Sequence, residues 1–316
     1  MKRVLVLLST YNGKRFLSEQ LDSIYAQKGV VADVLARDDG SSDDTVSILE
    51  KYSDANGNLT ILKGENVGAK MSFYALASHA FRHMPEYDYY SFCDQDDVWD
   101  NDKLIRAVND LESVQSDFKL WYGNVRLVDA MMNPIPSPPI RMNNDLVSNI
   151  VSSHVLGCTE VFTYGLLEKM VRIESVLKPE NRLHDYYVPL HDGWLALLAY
   201  SMGASVCVSH EACMNYRQHS SNEVGAPRNN LQKVIYRVRR FTERKKQCIK
   251  SGKCKTLLAV FEDSEIPSRN LKIISRFAYY KESFAARFRL AFDASIYRYG
   301  ISTNVGTFFA ILFGKF

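Results

Sequence analysis

The sequence has no unbroken apolar run near the roughly 18 residues that a membrane-spanning helix requires, so no transmembrane helix is expected. Its six cysteines, Cys93, Cys158, Cys207, Cys213, Cys248 and Cys254, show no CxxC spacing. That argues against a zinc site and for reduced thiols. A secretory leader is not expected either. "MKRVLVLLSTYNG" starts basic, but its apolar run is short, β-branched and stopped by the turn-forming Asn12-Gly13, as in a first strand. There is no internal repeat, no RNP-type aromatic motif and no zinc-finger spacing.

What is present is a chain of 316 residues, long enough for one large domain with an appendage or for two domains. Its formal net charge is only +3, but the charge is unevenly placed. Up to Pro227 there are 20 Lys and Arg against 30 Asp and Glu, a net −10; from Arg228 onward there are 19 against 6, a net +13. The division predicts residues 1–227 as one domain and 228–316 as a basic region facing an anionic partner.

The first 130 residues alternate. "RVLVLLST", "ADVLARDDG", "NLTILKG" and "YDYYSFCD" read as strands. Between and after them, "FLSEQLDSIYAQ", "SDDTVSILEKYS", "AKMSFYALASHAF" and "NDKLIRAVNDLES" read as helices, the second with acids in its first turn. Strand-helix alternation predicts an α/β fold with a parallel sheet, whose ligands bind at the carboxyl ends of the strands. Each predicted strand end is polar: Ser9 to Asn12, Asp38-Asp39, Asn66-Val67-Gly68 and Asp94-Gln95-Asp96-Asp97. Past the Pro-rich "NPIPSPPI", the segment "NNDLVSNIVSSHV" reads as helix and "GCTEVFTYGLLEKMV" as a short strand running into a helix. "HDGWLALLAYSMG" reads as a helix stopped by Gly203, and "ASVCVSHEACMNYRQH" as extended chain.

Asp94 and Asp96 are two apart at a strand end, and period two would put both side chains on one side. Hard oxygen ligands so placed suit Mg²⁺ or Mn²⁺ with a phosphate. Helix capping by Asp97 or Asp100 explains the same acids equally well. Asp39 could accept an imide N–H from a uracil or thymine ring, or simply belong to an Asp-Gly turn. Asp192 opens an apolar helix, where it caps or acts as a general base toward a sugar hydroxyl. His191 fits a pocket-shaping neighbour better than the base. His219 could ligate a metal, and Arg217 could contact phosphate.

In this order, "LLSTYNGKRFLSEQLDSI", "DDGSSDDT", "NVG", "FCDQDDVW", "GCT", "HDGWLALLA" and "YRQHSSN" resemble the inverting family-2 glycosyltransferases, above all the rhamnosyltransferase-like bacterial members that build O-antigen, capsule or rhamnan chains. The resemblance runs from Arg3 to Asn222. It implies the glycosyltransferase A-type fold, a Rossmann-like nucleotide half joined to an acceptor half. By motif it implies that Thr10, Tyr11, Asp39, Asn66 and Asp94 hold a UDP- or dTDP-linked sugar. Asp96 would bind Mn²⁺ or Mg²⁺ with His219, Arg217 would meet phosphate, and Asp192 would be the catalytic base. Gly157, Cys158, Thr159, His191 and Trp194 would line the donor–acceptor junction. Gly193 departs from the pattern, standing where similar sequences often carry a bulky aromatic.

From Arg228 to Thr256 there are eleven basic residues and one acid, Glu243. Val234, Val238 and Phe241 interleave with Arg237, Arg240 and Arg244 at helical spacing, as in a basic amphipathic helix suited to an anionic membrane surface. "ESFAARFRLAFDASIYRYG" and "VGTFFAILFGKF" are apolar and aromatic but too short to span a bilayer. A helical appendage packed on the catalytic domain or on a second subunit would look the same. The expected setting is the cytoplasm, at the inner face of the cell membrane, with a lipid-linked glycan as acceptor, a possible homo-oligomer and no nucleic acid. Two rivals are weighed against this. A sugar-phosphate nucleotidyltransferase would share the fold, but its Gly-rich loop is replaced by "STYNGKRF", with a single Gly. A non-catalytic protein gripping nucleic acid by its tail would show salt-dependent binding to duplex DNA.

Overall fold

Strand β1 (Lys2–Thr10) is apolar on both faces, and the fold is built around it. Val4, Val6 and Leu8 point to one layer, Leu5 and Leu7 to the other, and all five are fully buried. A strand buried on both faces belongs at the centre of a helix-covered sheet. In the computed structural model, which describes residues 1–136, 142, 145–152, 155–177, 187–219, 249–298 and 301–316, β1 pairs in parallel with β2 (Val30–Asp38) and β4 (Tyr89–Cys93). β3 (Leu59–Lys63) extends the parallel set from β2.

The remaining strands are β5 (Val98–Trp99), β6 (Lys119–Asp129), β7 (Val161–Phe162) and β8 (Ser205–Gln218). The sheet order is β3-β2-β1-β4-β7-β6-β8-β5. β7 is antiparallel to both β4 and β6, and β6 is parallel to β8. Two reversals restore the original direction, so the carboxyl end of β8 arrives at the same sheet edge as those of β1, β2 and β4. The sheet is therefore mixed rather than purely parallel. β6 went unrecognised in the sequence because "KLWYGNVRLVD" carries Gly123, Asn124 and Arg126 inside the strand, where two register shifts occur.

Helices α1 (Leu17–Tyr25), α2 (Thr45–Asn56) and α4 (Lys103–Glu112) cover one face. α3 (Ala69–His83), α5 (Leu146–Val151), α6 (Tyr164–Val171) and α8 (His191–Met202) cover the other, and a short α7 (Glu174–Leu177) follows α6. The acids of "SDDT" lie just before α2 rather than in its first turn: Asp43 Oδ1 accepts from Thr45 N at 3.0 Å.

Among the described residues, four further α-helices follow: α9 (Ile249–Val260), α10 (Ser268–Ala278), α11 (Phe284–Ala291) and α12 (Ile301–Leu312). Cys254, Leu257, Ile274, Phe277, Leu290 and Ile311 join the same apolar cluster as α3, α6 and α8. Polar ties reinforce the contact. Lys253 Nζ donates to Asn149 O at 2.8 Å, and Asn270 Nδ2 donates to Tyr200 O and Ser201 O at 3.1 Å. Glu265 pairs with Lys169 and Arg172 of the α6 region. The basic helix expected around Val234 to Arg244, and the 227/228 boundary, lie outside the described residues. No helix among the described residues is long and apolar enough to cross a membrane.

Candidate active site

The polar strand ends converge because the loops after β1, β2, β3 and β4 are tied to one another. Asn12 takes a left-handed φ of 47°, and its Oδ1 accepts from Ser42 N at 2.8 Å. Gly13 N donates to Thr45 Oγ1 at 2.8 Å. A side chain at Gly13 would collide with Gln95, whose carbonyl oxygen would lie 2.1 Å from the added Cβ. Gln95 occupies that space to bridge two strand ends: Oε1 accepts from Tyr11 N at 2.8 Å and Nε2 donates to Tyr11 O at 3.0 Å. Tyr11 is left exposed beside this clamp, while Thr10 is buried and donates to Asp38 Oδ1 at 3.2 Å.

Asp39 is buried, and both its oxygens are engaged. Arg37 pairs with Oδ1, Val67 N donates to Oδ1 at 3.0 Å, and Gly68 N donates to Oδ2 at 2.8 Å. The carboxylate thus fixes the loop carrying Asn66, which is exposed. Gly40, at φ +80°, lets that loop close in, since a Cβ there would lie 3.1 Å from Asn66 N.

β4 stops at Cys93, so Asp94 to Asp97 form a turn and strand alternation does not govern them. Asp96 Oδ2 lies 2.8 Å from His219 Nε2, the two residues that the sequence singled out for a metal. Asp94 instead groups with Asp97 and Cys158, with candidate ligand atoms within 4.8 Å of one another. Asp97 is fully buried. Its Oδ1 accepts from Arg217 N at 3.0 Å, and Oδ2 has no hydrogen-bond partner among the described residues. Burial, then the charges of Asp96 and Asp94, push its carboxyl well above the ordinary range. Burial also holds the Cys158 thiol well above its usual value. A neutral thiol is a poor partner for a hard cation, so the oxygen donors carry the cation chemistry.

Two protein cations lie behind this acidic turn. Lys103, fully buried on α4, donates to Cys158 O at 2.9 Å and sits 3.1 Å from the Trp99 ring centre; burial lowers it to about 8. Arg217 is turned inward. It donates to Asp96 O at 2.8 Å, Ala130 O at 3.1 Å and Glu19 Oε2 at 2.7 Å, and lies over the Phe16 ring. Through these bonds its guanidinium braces the turn.

Next to the acidic turn, Gly157, Cys158 and Thr159 form one 3₁₀ turn that touches the start of α8. A Cβ on Gly157 would sit 2.6 Å from His191 Nε2 and 3.0 Å from Asp192 Cβ, so only glycine permits this approach. His191 stacks on Phe73 at 3.8 Å between ring centres; burial lowers it to about 4, so it stays neutral. Asp192 is half-buried in the first turn of α8. Trp194 is fully buried and donates to Met170 O at 3.3 Å, tying α8 to α6.

With this geometry in view, the chain was compared with known proteins. The profile of glycosyl transferase family 2 matches residues 5–131. The dTDP-rhamnosyl transferase RfbG of Shigella flexneri is 30% identical over 229 residues, which are 69% of this chain and 74% of that protein. The chain belongs to family 2 of the glycosyltransferases. Another relative, the UDP-Glc:alpha-D-GlcNAc-diphosphoundecaprenol beta-1,3-glucosyltransferase WfgD of Escherichia coli, is 24% identical over 62% of this chain and 69% of its own length. Among solved structures, S. aureus TarS 1-349 in complex with UDP-GlcNAc aligns with 99% of this chain and 82% of its own, at a TM-score of 0.55 and 20% identity. The fold of this family-2 enzyme is thus the glycosyltransferase A-type α/β fold. Membership of the family favours sugar transfer over nucleotidyl transfer or nucleic-acid binding.

Several residues that meet these side chains were not singled out in the sequence. Gln95 and Arg37 lie within or beside the motifs, and only the folded loops give them partners. Glu160 is fully buried, with both carboxylate oxygens unpartnered among the described residues. Burial and then the charge of Asp192 hold it well above the ordinary range. No sequence signal separates such a glutamate from a solvated one.

Proposed function

We propose that the enzyme transfers a sugar, with inversion, from a dTDP- or UDP-linked donor to a hydroxyl of a lipid-linked glycan during synthesis of a bacterial surface polysaccharide. The observation that carries this reading is the convergence, at one sheet edge, of the Asp96–His219 pair, the Asp94–Asp97 group and, across the cleft, Asp192. Rhamnose from a dTDP donor is the leading candidate, since the 30%-identical relative is named for that reaction. The name of WfgD, with its diphosphoundecaprenol acceptor, supports a lipid carrier and hence work at the inner face of the cell membrane.

Thr10, Tyr11, Asp39, Asn66 and Asp94 would surround the nucleotide. Because the Asp39 oxygens already hold Arg37 and two amides, Asp39 would shape the base pocket through Arg37 and the Asn66 loop as well as by direct contact. The donor set fits a hard divalent cation, Mn²⁺ or Mg²⁺: clustered carboxylates, one buried oxygen without a partner, and a histidine beside Asp96. Asp96 and His219 would hold it, and when bound it supplies positive charge to the leaving diphosphate. Arg217 keeps Asp96 and Asp97 in register.

Asp192 takes the proton from the acceptor hydroxyl as that oxygen attacks the anomeric carbon. The bond between that carbon and the phosphate oxygen breaks, the nucleoside diphosphate leaves from the opposite face, and the configuration inverts. The neutral His191 ring and the 157–159 turn hold Asp192 in place. The test is Asp192→Asn, scored for release of nucleoside diphosphate in the presence of acceptor. A loss of about 10²–10⁴-fold with unchanged nucleotide binding is expected. Turnover at the wild-type rate would remove Asp192 from this role.

A further inference from the structure

Phe284, Phe288 and Phe292 recur every fourth residue along α11, and Phe309 and Phe313 are likewise four apart at the end of α12. This spacing places each set on one helix face. All five are exposed, Phe284 and Phe313 by 72% and 68%. The rings form one continuous ladder. Successive centres lie 6.5 Å apart from Phe284 to Phe288, 4.4 Å to Phe292, 5.4 Å to Phe308, 5.6 Å to Phe309 and 6.2 Å to Phe313. Five rings at such exposures present on the order of 600 Å² of aromatic surface, if a whole side chain counts as about 200 Å². That is at the upper end of what a soluble monomer shows as its largest apolar patch, and patches of this kind mark interaction sites.

The charges beside the ladder select what covers it. From Phe284 to Phe316 there are four cations, Arg287, Arg289, Arg298 and Lys315, and one acid, Asp293. Asp293 is already paired with Arg276 at 2.6 Å. A two-fold contact between copies would set this patch against itself, bringing like charges together. Of the cations, Arg298 is paired with Asp145 at 2.5 Å and Arg287 donates to Lys281 O at 3.2 Å, which leaves Arg289 and Lys315 exposed beside the rings. An anionic bilayer surface offers apolar depth for the rings and negative headgroups for these two. We infer that the α11–α12 aromatic ladder is the face by which this enzyme docks on an anionic lipid bilayer, its phenylalanines entering the interface and Arg289 and Lys315 meeting the headgroups. The inference rests on the membrane setting proposed above and extends it.

The test is sedimentation of the full chain with vesicles of phosphatidylcholine alone or with about one third phosphatidylglycerol. The wild type is expected to bind only the anionic vesicles. A Phe284→Ser/Phe309→Ser/Phe313→Ser variant should lose at least roughly tenfold in partition, and Arg289→Glu should also weaken binding. All three side chains replaced by serine are exposed, so the fold should survive, and a thermal shift by dTDP or UDP, measured on the same samples, verifies it. The inference is overturned if wild type ignores anionic vesicles, or if the triple variant binds them as wild type does. It is equally overturned if wild type is a dimer by analytical ultracentrifugation that the triple variant dissolves. The nucleotide shift separates the two readings: its absence in wild type counts against the sugar-nucleotide site, whatever the vesicles do.

Discussion

A buried carboxyl with no hydrogen-bond partner destabilises a fold unless it stays protonated, and Glu160 is in that position beside Asp192. Its folded-state pKa lies above the ordinary 4.5. Its stabilising contribution is therefore complete below that value and is lost as pH rises through the folded pKa. Glu160→Gln removes the titration. It is expected to raise the melting temperature, by the equivalent of ~1–3 kcal/mol at most, and the gain should grow as pH rises above the ordinary glutamate range. A gain that is flat with pH would mean that Glu160 is ionised throughout. Gly193 gives a second prediction at this scale. A Cβ there meets nothing within 4 Å, so the first turn of α8 has open space next to Asp192. Gly193→Tyr should fold normally and restrict the acceptor, raising its KM with little change in donor affinity. Unfolding, or an unchanged acceptor KM, would contradict this. Asp96, His219 and Asp192 were singled out in the sequence because they stand in motifs, and the fold brings Asp96 and His219 together at 2.8 Å. For Arg217 and Trp194 no sign of their burial was legible in the sequence, since nothing in a local pattern tells whether a side chain turns inward.

At the scale of elements, the alternating first half was legible because β1 to β4 and α1 to α4 follow strong apolar periods. β6 and the antiparallel β7 were not, the first interrupted by polar residues and register shifts, the second only two residues long. The C-terminal region was legible as helical, whereas its individual helices and their packing on α5, α6 and α8 depend on distant partners. Glu265 shows how that packing is fastened. Its hydrogen bonds to Arg172, and then to Lys169, hold its carboxyl down at about 2, against an ordinary 4.5. A depressed carboxyl adds stability above its unfolded pKa and loses it as pH falls toward the folded one. Glu265→Gln should therefore cost about 1–2 kcal/mol at neutral pH, with the difference from wild type closing between about pH 4.5 and about pH 2. Hydrogen exchange should locate the loosening in α9 and α10. Loosening confined to α1 and α2 would show that the pair does not fasten the C-terminal helices.

Over the whole molecule, the acidic half and the basic half divide the work. The sheet edge of the first half gathers Asp94, Asp96, Asp97 and His219, with Asp192 across the cleft, while the cationic C-terminal helices present the phenylalanine ladder. The central claim is that the acidic edge grips a sugar nucleotide through one divalent cation. Anomalous diffraction from a crystal soaked with dTDP and Mn²⁺ tests it most directly. A manganese peak within about 2.5 Å of an Asp96 carboxylate oxygen, touching the diphosphate and lost in Asp96→Ala, is the result expected. A nucleotide bound elsewhere, or at this edge with its diphosphate touching no metal, would contradict the account.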